Sequence, residues 1–405
     1  MANALDRRIC PFCGQEIVLG ECPIVATNVP DVQATFSPDG ARPAKGNDER
    51  RLPPSKTPVI EWINGWPVVA HGQLQKLQQK GLPRFVAGVL TPALLPVTEL
   101  AAAEDLPARA CTKCGWPLPV EFDERPLFTI AVVGTRGAGK THYLASVLRD
   151  AARLQGLARL GCEEFAPDEQ TARRYHTDYF EKLFQDQAVL KGTPQEEDAL
   201  HKPLVFRVSF RDCTPSVVMM HDVAGEVLQD RGKRAQAASF VRRADGVIFL
   251  VDSVQLKPIR DLLAGAGPER PANQADLLVA CINDMGPRAR RRVPYAITLS
   301  KSDLIASALA DRSFRFCSDP PAHIGEWGKD LKIVEGEVHR LLSDLGAHDL
   351  LAAASQLELR SYHAVAPIGA DPRNGRVEDL HPLRCLDPLA TVLTRIPGIT
   401  DPAGR

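Results

Sequence analysis

One short stretch limits what this chain can fold into. Gly134, Thr135, Arg136, Gly137, Ala138, Gly139, Lys140 and Thr141 fit the pattern G-x-x-x-x-G-K-[ST], directly after the apolar run Leu127 to Val133. Such a run marks a strand buried on both faces. Behind the motif the residues read as a helix from Gly139 to about Leu154. A glycine-rich turn between strand and helix lets successive backbone N–H groups point inward around phosphate oxygens, and the helix N-terminus adds the positive end of its dipole. In that setting Lys140 reaches the β- and γ-phosphates, Thr141 offers its hydroxyl to Mg2+, and His142 completes the nucleotide-binding stretch. A chance match in a chain of this length is on the order of 1%.

Further strand-like segments follow: "PLVFRVSF", "SVVMMH", "GVIFLVD", "VPYAITLS" and "SYHAVAPI", the later ones separated by helical stretches. Strands alternating with helices predict an α/β three-layer sandwich, its sheet mostly parallel and covered on both faces. Only five residues, "RDCTP", join the first two. A parallel crossover needs a dozen or more, so this pair is an antiparallel hairpin and the sheet is mixed. A second helical stretch is expected from about Glu169 to Val189. "LKPIRDLLAGAGPERPANQ" reads as a surface loop with at most one helical turn.

Two strands end in residues that carry chemistry. "SVVMMHDVAGE" closes in Asp222, Gly225 and the acid Glu226; "AITLS" runs into Ser300, Lys301, Ser302 and Asp303. An Asp carboxylate at such a point accepts both the N1–H and the exocyclic amine of guanine. Adenine lacks that donor pair and would leave the buried charge unpaired. The Lys301 stem can lie along the base plane. An ATP-dependent enzyme is the alternative that this short motif leaves open.

Taken together, the phosphate loop, "DVAG", "ADGVIFLVD", "SKSD" and "HAVAPIG" resemble a Ras-like P-loop GTPase of the TRAFAC class, over roughly residues 127–396. The resemblance implies GTP and Mg2+ as ligands. It implies that Asp222 holds Mg2+ through water, that the Gly225 N–H contacts the γ-phosphate, and that a loop near Ala366 touches the base. Ser300 stands where Asn or Thr is usual, and Pro367 has no N–H to donate. Catalysis would rest on Lys140 and on Glu226, a carboxylate where a water-orienting amide is expected. Like charge beside a triphosphate makes slow hydrolysis the expectation. The family's second motif should lend one threonine to Mg2+. Thr171 and Thr177 fall inside a helical pattern, which leaves Thr193 in "LKGTPQEED" as the choice. The interval from Lys140 to Asp222 is 82 residues, about twice that of a minimal Ras-like domain by the resemblance, so the inserted helix is a lid or a partner surface.

Ahead of this region stand two C-x-x-C units, Cys10 with Cys13 and Cys111 with Cys114. Such pairs can grip Zn2+ tetrahedrally from two sides. The usual interval is ~15–20 residues; here 97 residues separate Cys13 from Cys111. Loop-closure cost grows only logarithmically, so the interval is tolerable. Cys22 is a substitute ligand; Cys162, Cys213, Cys281, Cys317 and Cys385 read as small buried apolar groups. Residues 1–124 are therefore expected to be a split zinc-ribbon-like unit with a partly disordered insertion at 37–110, and residues 125–405 the GTPase domain. A zinc-ribbon-like segment before such a domain resembles the bacterial double-GTPase families, which implies a place in a multi-component conflict or signalling system.

Composition narrows the partners. The net charge is −1 and charged residues make up 24% of the chain, so nothing draws it globally to nucleic acid or acidic lipid. The arginines from Arg288 to Arg292 lack interleaved aromatics and read as a solvated loop. No apolar run approaches the ~20 residues that span a bilayer. The N-terminus lacks the apolar core of a secretory signal, so a cytoplasmic location with reduced thiols is expected. The reading is a GTP-hydrolysing switch with protein effectors, able to pair with a second copy across the nucleotide. The alternative is a scaffold that binds nucleotide without turnover.

Overall fold

The computed structural model describes residues 7–12, 15–22, 24–25, 62–63, 66–67, 108–113, 115, 118–119, 122, 125–135, 137–153, 156–190, 203–224, 240–263, 274–370, 372, 375–377 and 379–400. Two units divide the chain, Met1–Arg125 and Pro126–Arg405.

The first unit contains β1 (Arg7–Ile9), β2 (Glu16–Val18), β3 (Ile24–Val25), β4 (Trp62–Ile63), β5 (Trp66–Pro67) and β6 (Ala108–Arg109), paired antiparallel as β1–β2, β3–β6 and β4–β5. The β3–β6 pair brings the chain back on itself across the long interval between the cysteine pairs. Arg109, which is buried, strengthens that closure: its Nη1 donates to Leu19 O at 2.8 Å and to Cys22 O at 3.3 Å. Apart from β4, β5 and residues 108–110, the interval 37–110 lies outside the described residues.

The second unit runs β7 (Leu127–Gly134), α1 (Lys140–Ala152), β8 (Cys162–Pro167), α2 (Glu169–Arg174), a π-helical stretch (Tyr175–Gln185), β9 (Leu204–Phe210), β10 (Ser216–Ala224), β11 (Gly246–Asp252), α3 (Lys257–Leu262), α4 (Gln274–Met285), α5 (Pro287–Arg291), β12 (Tyr295–Ser300), α6 (Ser302–Ala308), α7 (Ile324–Asp344), α8 (His348–Ser355), β13 (Arg360–Val365) and α9 (Leu386–Arg395). Its seven strands form one sheet in the order β13-β12-β11-β7-β10-β9-β8. From β13 to β10 all neighbours are parallel; β9 is antiparallel to β10, and β8 to β9. The mixed sheet and its hairpin are as the connection lengths require. Strand β8 was not expected. Its sequence, Cys-Glu-Glu-Phe-Ala-Pro, is polar and ends in proline, a composition suited to the outermost strand and easily passed over by a hydrophobic pattern.

Alternation along β7 builds the three layers. Ile130 and Val132 join the cluster with Tyr143, Leu144 and Val147 of α1 and Leu389 and Leu393 of α9. Ala131 and Val133 join the opposite cluster with Leu278 and Ile282 of α4, Val334 and Val338 of α7 and Leu350 of α8. A buried ion network links α7 to the start of α9. The Arg384 guanidinium is fully enclosed and lies 2.7 Å from Asp330 Oδ2 and 2.9 Å from Asp387 Oδ2. Trp327 Nε1 donates to Asp387 Oδ1 at 3.1 Å, and Arg315 also pairs with Asp330. Among the described residues no helix is long and apolar enough to cross a membrane.

Candidate nucleotide site

Parallel strands send their following loops to one edge of the sheet, where open α/β folds place ligands. The register puts the strand ends within two residues of one level. Ala224 and Leu250 both pair with Gly134, Asp252 pairs with Ser300, and Ser300 pairs with Val365. The phosphate loop, the segment after Asp222, the Ser300–Asp303 turn and the loop from Ala366 therefore all leave the sheet at one edge.

Within the phosphate loop each glycine has its own reason. A Cβ on Gly134 would stand 2.8 Å from Leu250 O and 3.3 Å from Ala138 Cβ, so only glycine lets β7 and β11 close there. Gly137 and Gly139 have φ of 82° and 80°, the left-handed region that glycine enters without a Cβ penalty. The Ala138 N–H donates to Thr135 O at 3.1 Å, closing the turn. Lys140 is buried as the first residue of α1, and its Nζ reaches across the loop to Gly134 O at 2.9 Å. Thr135 Oγ1 is buried with no hydrogen-bond partner. Thr141 is half-buried in the first turn; Arg136 lies outside the described residues.

His142 does more than follow the motif. Its Nε2 accepts the Leu190 N–H at 3.0 Å, so the ring is neutral with its proton on Nδ1. Burial, and then the charge of Lys301, lower its pKa to about 4. Leu190 belongs to a short segment held on its other side as well: Val189 N–H donates to Gly375 O at 2.9 Å, and Val377 N–H to Gln187 O at 2.8 Å. Residues 191–202, with Thr193, lie outside the described residues. Thr171 and Thr177 are engaged elsewhere: Thr171 Oγ1 accepts the Val205 N–H at 2.8 Å and Thr177 Oγ1 donates to Arg173 O at 2.8 Å.

Asp222 sits half-buried near the end of β10, level with Val132 of β7. Gly225 and Glu226 lie outside the described residues. At the other end, Ser300 is fully buried and donates from Oγ to Val251 O at 3.1 Å, so its hydroxyl ties the turn to the neighbouring strand instead of the phosphate loop. Lys301 adopts φ 59° and sends Nζ to Asp252 Oδ1 at 2.9 Å. Asp303 is half-buried in the first turn of α6. The Ala366 N–H donates to Leu383 O at 3.1 Å, and Pro367 after it has no N–H. Ser146, buried in α1, donates to Pro367 O at 2.7 Å and so joins the phosphate-loop helix to this last loop. Sequence reasoning missed Ser146, Asp252 and Gln274. The one available signal was an acid ending the wholly apolar strand β11.

The Thr141 hydroxyl and Asp222 carboxylate are hard oxygen donors of the kind Mg2+ takes. In the first unit, Cys10 and Cys111 are fully buried. Lys113 N–H points to Cys111 Sγ at 3.3 Å and Gly115 N–H to Cys111 O at 2.8 Å, a tight turn of thiol-ligand type. Cys13 and Cys114 lie outside the described residues, and among the described ones no three His, Cys, Asp or Glu stand together as a metal site. Burial raises the thiols of Cys162 and Cys317 to about 11, which suits packing rather than reactivity.

Residues 128–329 match the family model described as Double-GTPase 2. A protein of Mycolicibacterium smegmatis, described as "Putative ESX-1 scaffolding and assembly protein SaeC", is 26% identical over 336 residues, 73% of this chain and 82% of that one. Among solved structures, Sup35 complexed with GDP aligns at 11% identity over 60% of this chain and 38% of its own, with a TM-score of 0.25. The Saccharomyces cerevisiae Ski7 GTPase-like domain bound to GDP and inorganic phosphate aligns at 12% identity over 62% and 48%, with a TM-score of 0.28. The chain spans less than half the length of either solved structure.

Proposed function

We propose, on the premise that the chain belongs through residues 128–329 to the Double-GTPase 2 family, that this protein binds GTP with Mg2+ and hydrolyses it slowly as a molecular switch. The observation that supports this is the shared end of the sheet: the parallel strands β7, β10, β12 and β13 end within two residues of one level and lead into the phosphate loop, the segment after Asp222, the Ser300–Asp303 turn and the loop from Ala366. Backbone N–H groups from Gly134 through Gly139 surround phosphate oxygens, and the Lys140 ammonium neutralises them. Thr141, Asp222 and Thr193 hold Mg2+, the engagement of Thr171 and Thr177 elsewhere supporting Thr193. When bound, Mg2+ supplies further charge neutralisation on the phosphates. Gly225 senses the γ-phosphate, and Asp303 reads the guanine edge within a frame made by Ser300, Lys301 and Ala366. Glu226 brings like charge toward the attacked phosphate, which keeps intrinsic hydrolysis slow until an arginine, from the chain or a partner, offsets it.

The test is paired binding of labelled GTP and ATP. Wild type should prefer GTP, Lys140→Ala should lose both, and Asp303→Ala should lose the preference. Equal affinities unchanged by Asp303→Ala would overturn the guanine assignment.

A second reading is a scaffold that holds nucleotide without turnover. The 26% identity to a protein described as a scaffolding and assembly protein favours it. Single-turnover GTP hydrolysis, alone and with effectors added, separates the two: tight binding with no product in either case supports the scaffold. On both readings the protein is cytoplasmic, works with protein partners in a bacterial multi-component system, and pairs with a second copy when nucleotide is bound.

Residues 1–124 form the zinc-ribbon-like unit, with Cys10, Cys13, Cys111 and Cys114 as four thiolate ligands. Such a site is structural, since it leaves no open position. The buried thiols of Cys10 and Cys111 and the β3–β6 closure support it. One zinc per chain by elemental analysis, lost in Cys111→Ser, is the expected result.

A further inference from the structure

We infer that Asp252 and Gln274 are positioning residues for base recognition, acting through Lys301; the inference rests on the guanine reading of Asp303 above. Asp252 ends β11 and is 0% exposed. A carboxylate so placed persists only with a cation and donors around it. Lys301 Nζ supplies the cation at 2.9 Å from Oδ1, and the Val254 N–H approaches the same oxygen at 3.3 Å. Oδ2 is buried with no hydrogen-bond partner, so the charge of Asp252 is answered mainly by Lys301.

The backbone of Asp252 is fixed from another element. Gln274, the first residue of α4 and itself buried, takes the Asp252 N–H on Oε1 at 2.6 Å and donates from Nε2 to Asp252 O at 3.2 Å. One carboxamide thus pairs with both polar groups of one residue, as a neighbouring strand would. The same tip meets the base turn twice more, through Ser253 Oγ to Lys301 O at 3.4 Å and Ser300 Oγ to Val251 O at 3.1 Å.

Strand pairing alone does not call for this arrangement. β11 and β12 already share a parallel ladder from Val247 with Tyr295 to Asp252 with Ser300. What the ion pair adds lies beyond the ladder. Lys301 holds a left-handed backbone, φ 59° and ψ 43°, which is strained for a residue with a Cβ. Its four-carbon stem would otherwise sample many rotamers. Anchoring the ammonium on Asp252 fixes the stem that flanks the base and, two residues on, the Asp303 backbone.

The experiment compares GTP and ATP affinity in wild type, Asp252→Asn, Lys301→Ala, the double variant and Gln274→Ala, with urea midpoints for each. Asn keeps the size of the side chain and an acceptor for Val254, so Asp252→Asn should bind GTP about tenfold more weakly while its ATP affinity stays at the wild-type level. Lys301→Ala strands a buried carboxylate; the double variant should be more stable than Lys301→Ala and bind GTP no more weakly. Gln274→Ala keeps the ion pair and should show the same GTP-selective loss to a smaller degree, which serves if Asp252→Asn does not fold. Wild-type GTP affinity in both Asp252→Asn and Gln274→Ala, or equal loss of GTP and ATP, overturns the inference. A wild type with no preference for GTP overturns the guanine reading itself, and that arm does not depend on any variant.

Discussion

His142 Nε2 accepts the Leu190 N–H at 3.0 Å, so the helix that opens with Lys140 carries, two residues later, the anchor of the segment leading to Thr193. The bond joins the phosphate loop to the start of the candidate switch through a single neutral imidazole. Replacing it by alanine leaves a partly buried amide without an acceptor, a loss of about 1–3 kcal/mol. His142→Ala should lower the unfolding free energy by that amount, read as a fall in the urea midpoint, and amide hydrogen exchange at Leu190 should speed up. Unchanged exchange at Leu190 would show that the bond does not hold the segment in solution.

The same imidazole makes stability fall on the acid side. The folded pKa is lowered to about 4, from 6.5. Between those values the unfolded chain binds the proton and the folded chain does not, so stability drops as pH falls from 6.5 toward 4; above 6.5 both forms are neutral and the contribution is flat. His363, wholly buried and lowered to about 3, acts in the same direction and extends the window. These two imidazoles should lower the urea midpoint as pH falls from 7 toward 4, while the buried carboxyls of Asp168, Asp245 and Asp387, raised by burial, act the other way at the acid end. His142→Gln, with no proton to gain, should decline less steeply; a slope equal to wild type would remove His142 from the account.

Gly134 and Gly139 should respond differently to alanine. At Gly134 the new methyl would meet the Leu250 carbonyl at 2.8 Å, so β7 and β11 must part, at about 1–3 kcal/mol. At Gly139 nothing lies within 4 Å of the added carbon, and the cost is conformational, about 1–2 kcal/mol for a left-handed residue. Thermal denaturation should therefore rank Gly134→Ala as the less stable, and a second substitution Leu250→Ala should not rescue it, because the obstacle is backbone. Rescue by Leu250→Ala would place the conflict in the side chain.

What could be read from residues alone follows from the range of the interactions. The central parallel strands β7 and β11 were legible because each is a nearly continuous apolar run, and the β9–β10 hairpin because five residues cannot cross over. The phosphate loop was legible because its chemistry is written within eight consecutive positions. β8 was not, since an edge strand with Glu163 and Glu164 has no apolar periodicity to detect. Asp252 was passed over for a different reason: its meaning comes from Gln274 and Lys301, 22 and 49 positions away, and no local pattern encodes that meeting. The loop near Ala366 is legible as a strand end, but the pairing of its N–H with Leu383 O is one that only the folded loop brings about.

Thr171 and Thr193 offer a clean contrast for the switch. Thr171 is buried, its N–H is capped by Asp168 Oδ1 at 2.7 Å, and it takes the Val205 N–H on its hydroxyl at 2.8 Å. Its alanine variant strands the Val205 N–H on β9, so it should lose about 1–3 kcal/mol of stability and keep its Mg2+-dependent GTP affinity. Thr193→Ala removes the hydroxyl proposed to hold the metal. It should melt like wild type but bind GTP more weakly in Mg2+, with the gap to wild type closing in EDTA, where no metal is left for its hydroxyl to hold. If Thr193→Ala is as tight as wild type in Mg2+, the metal-binding threonine lies elsewhere in the chain. If Thr171→Ala loses the Mg2+ dependence at full stability, the bond to Val205 is not what its hydroxyl is for.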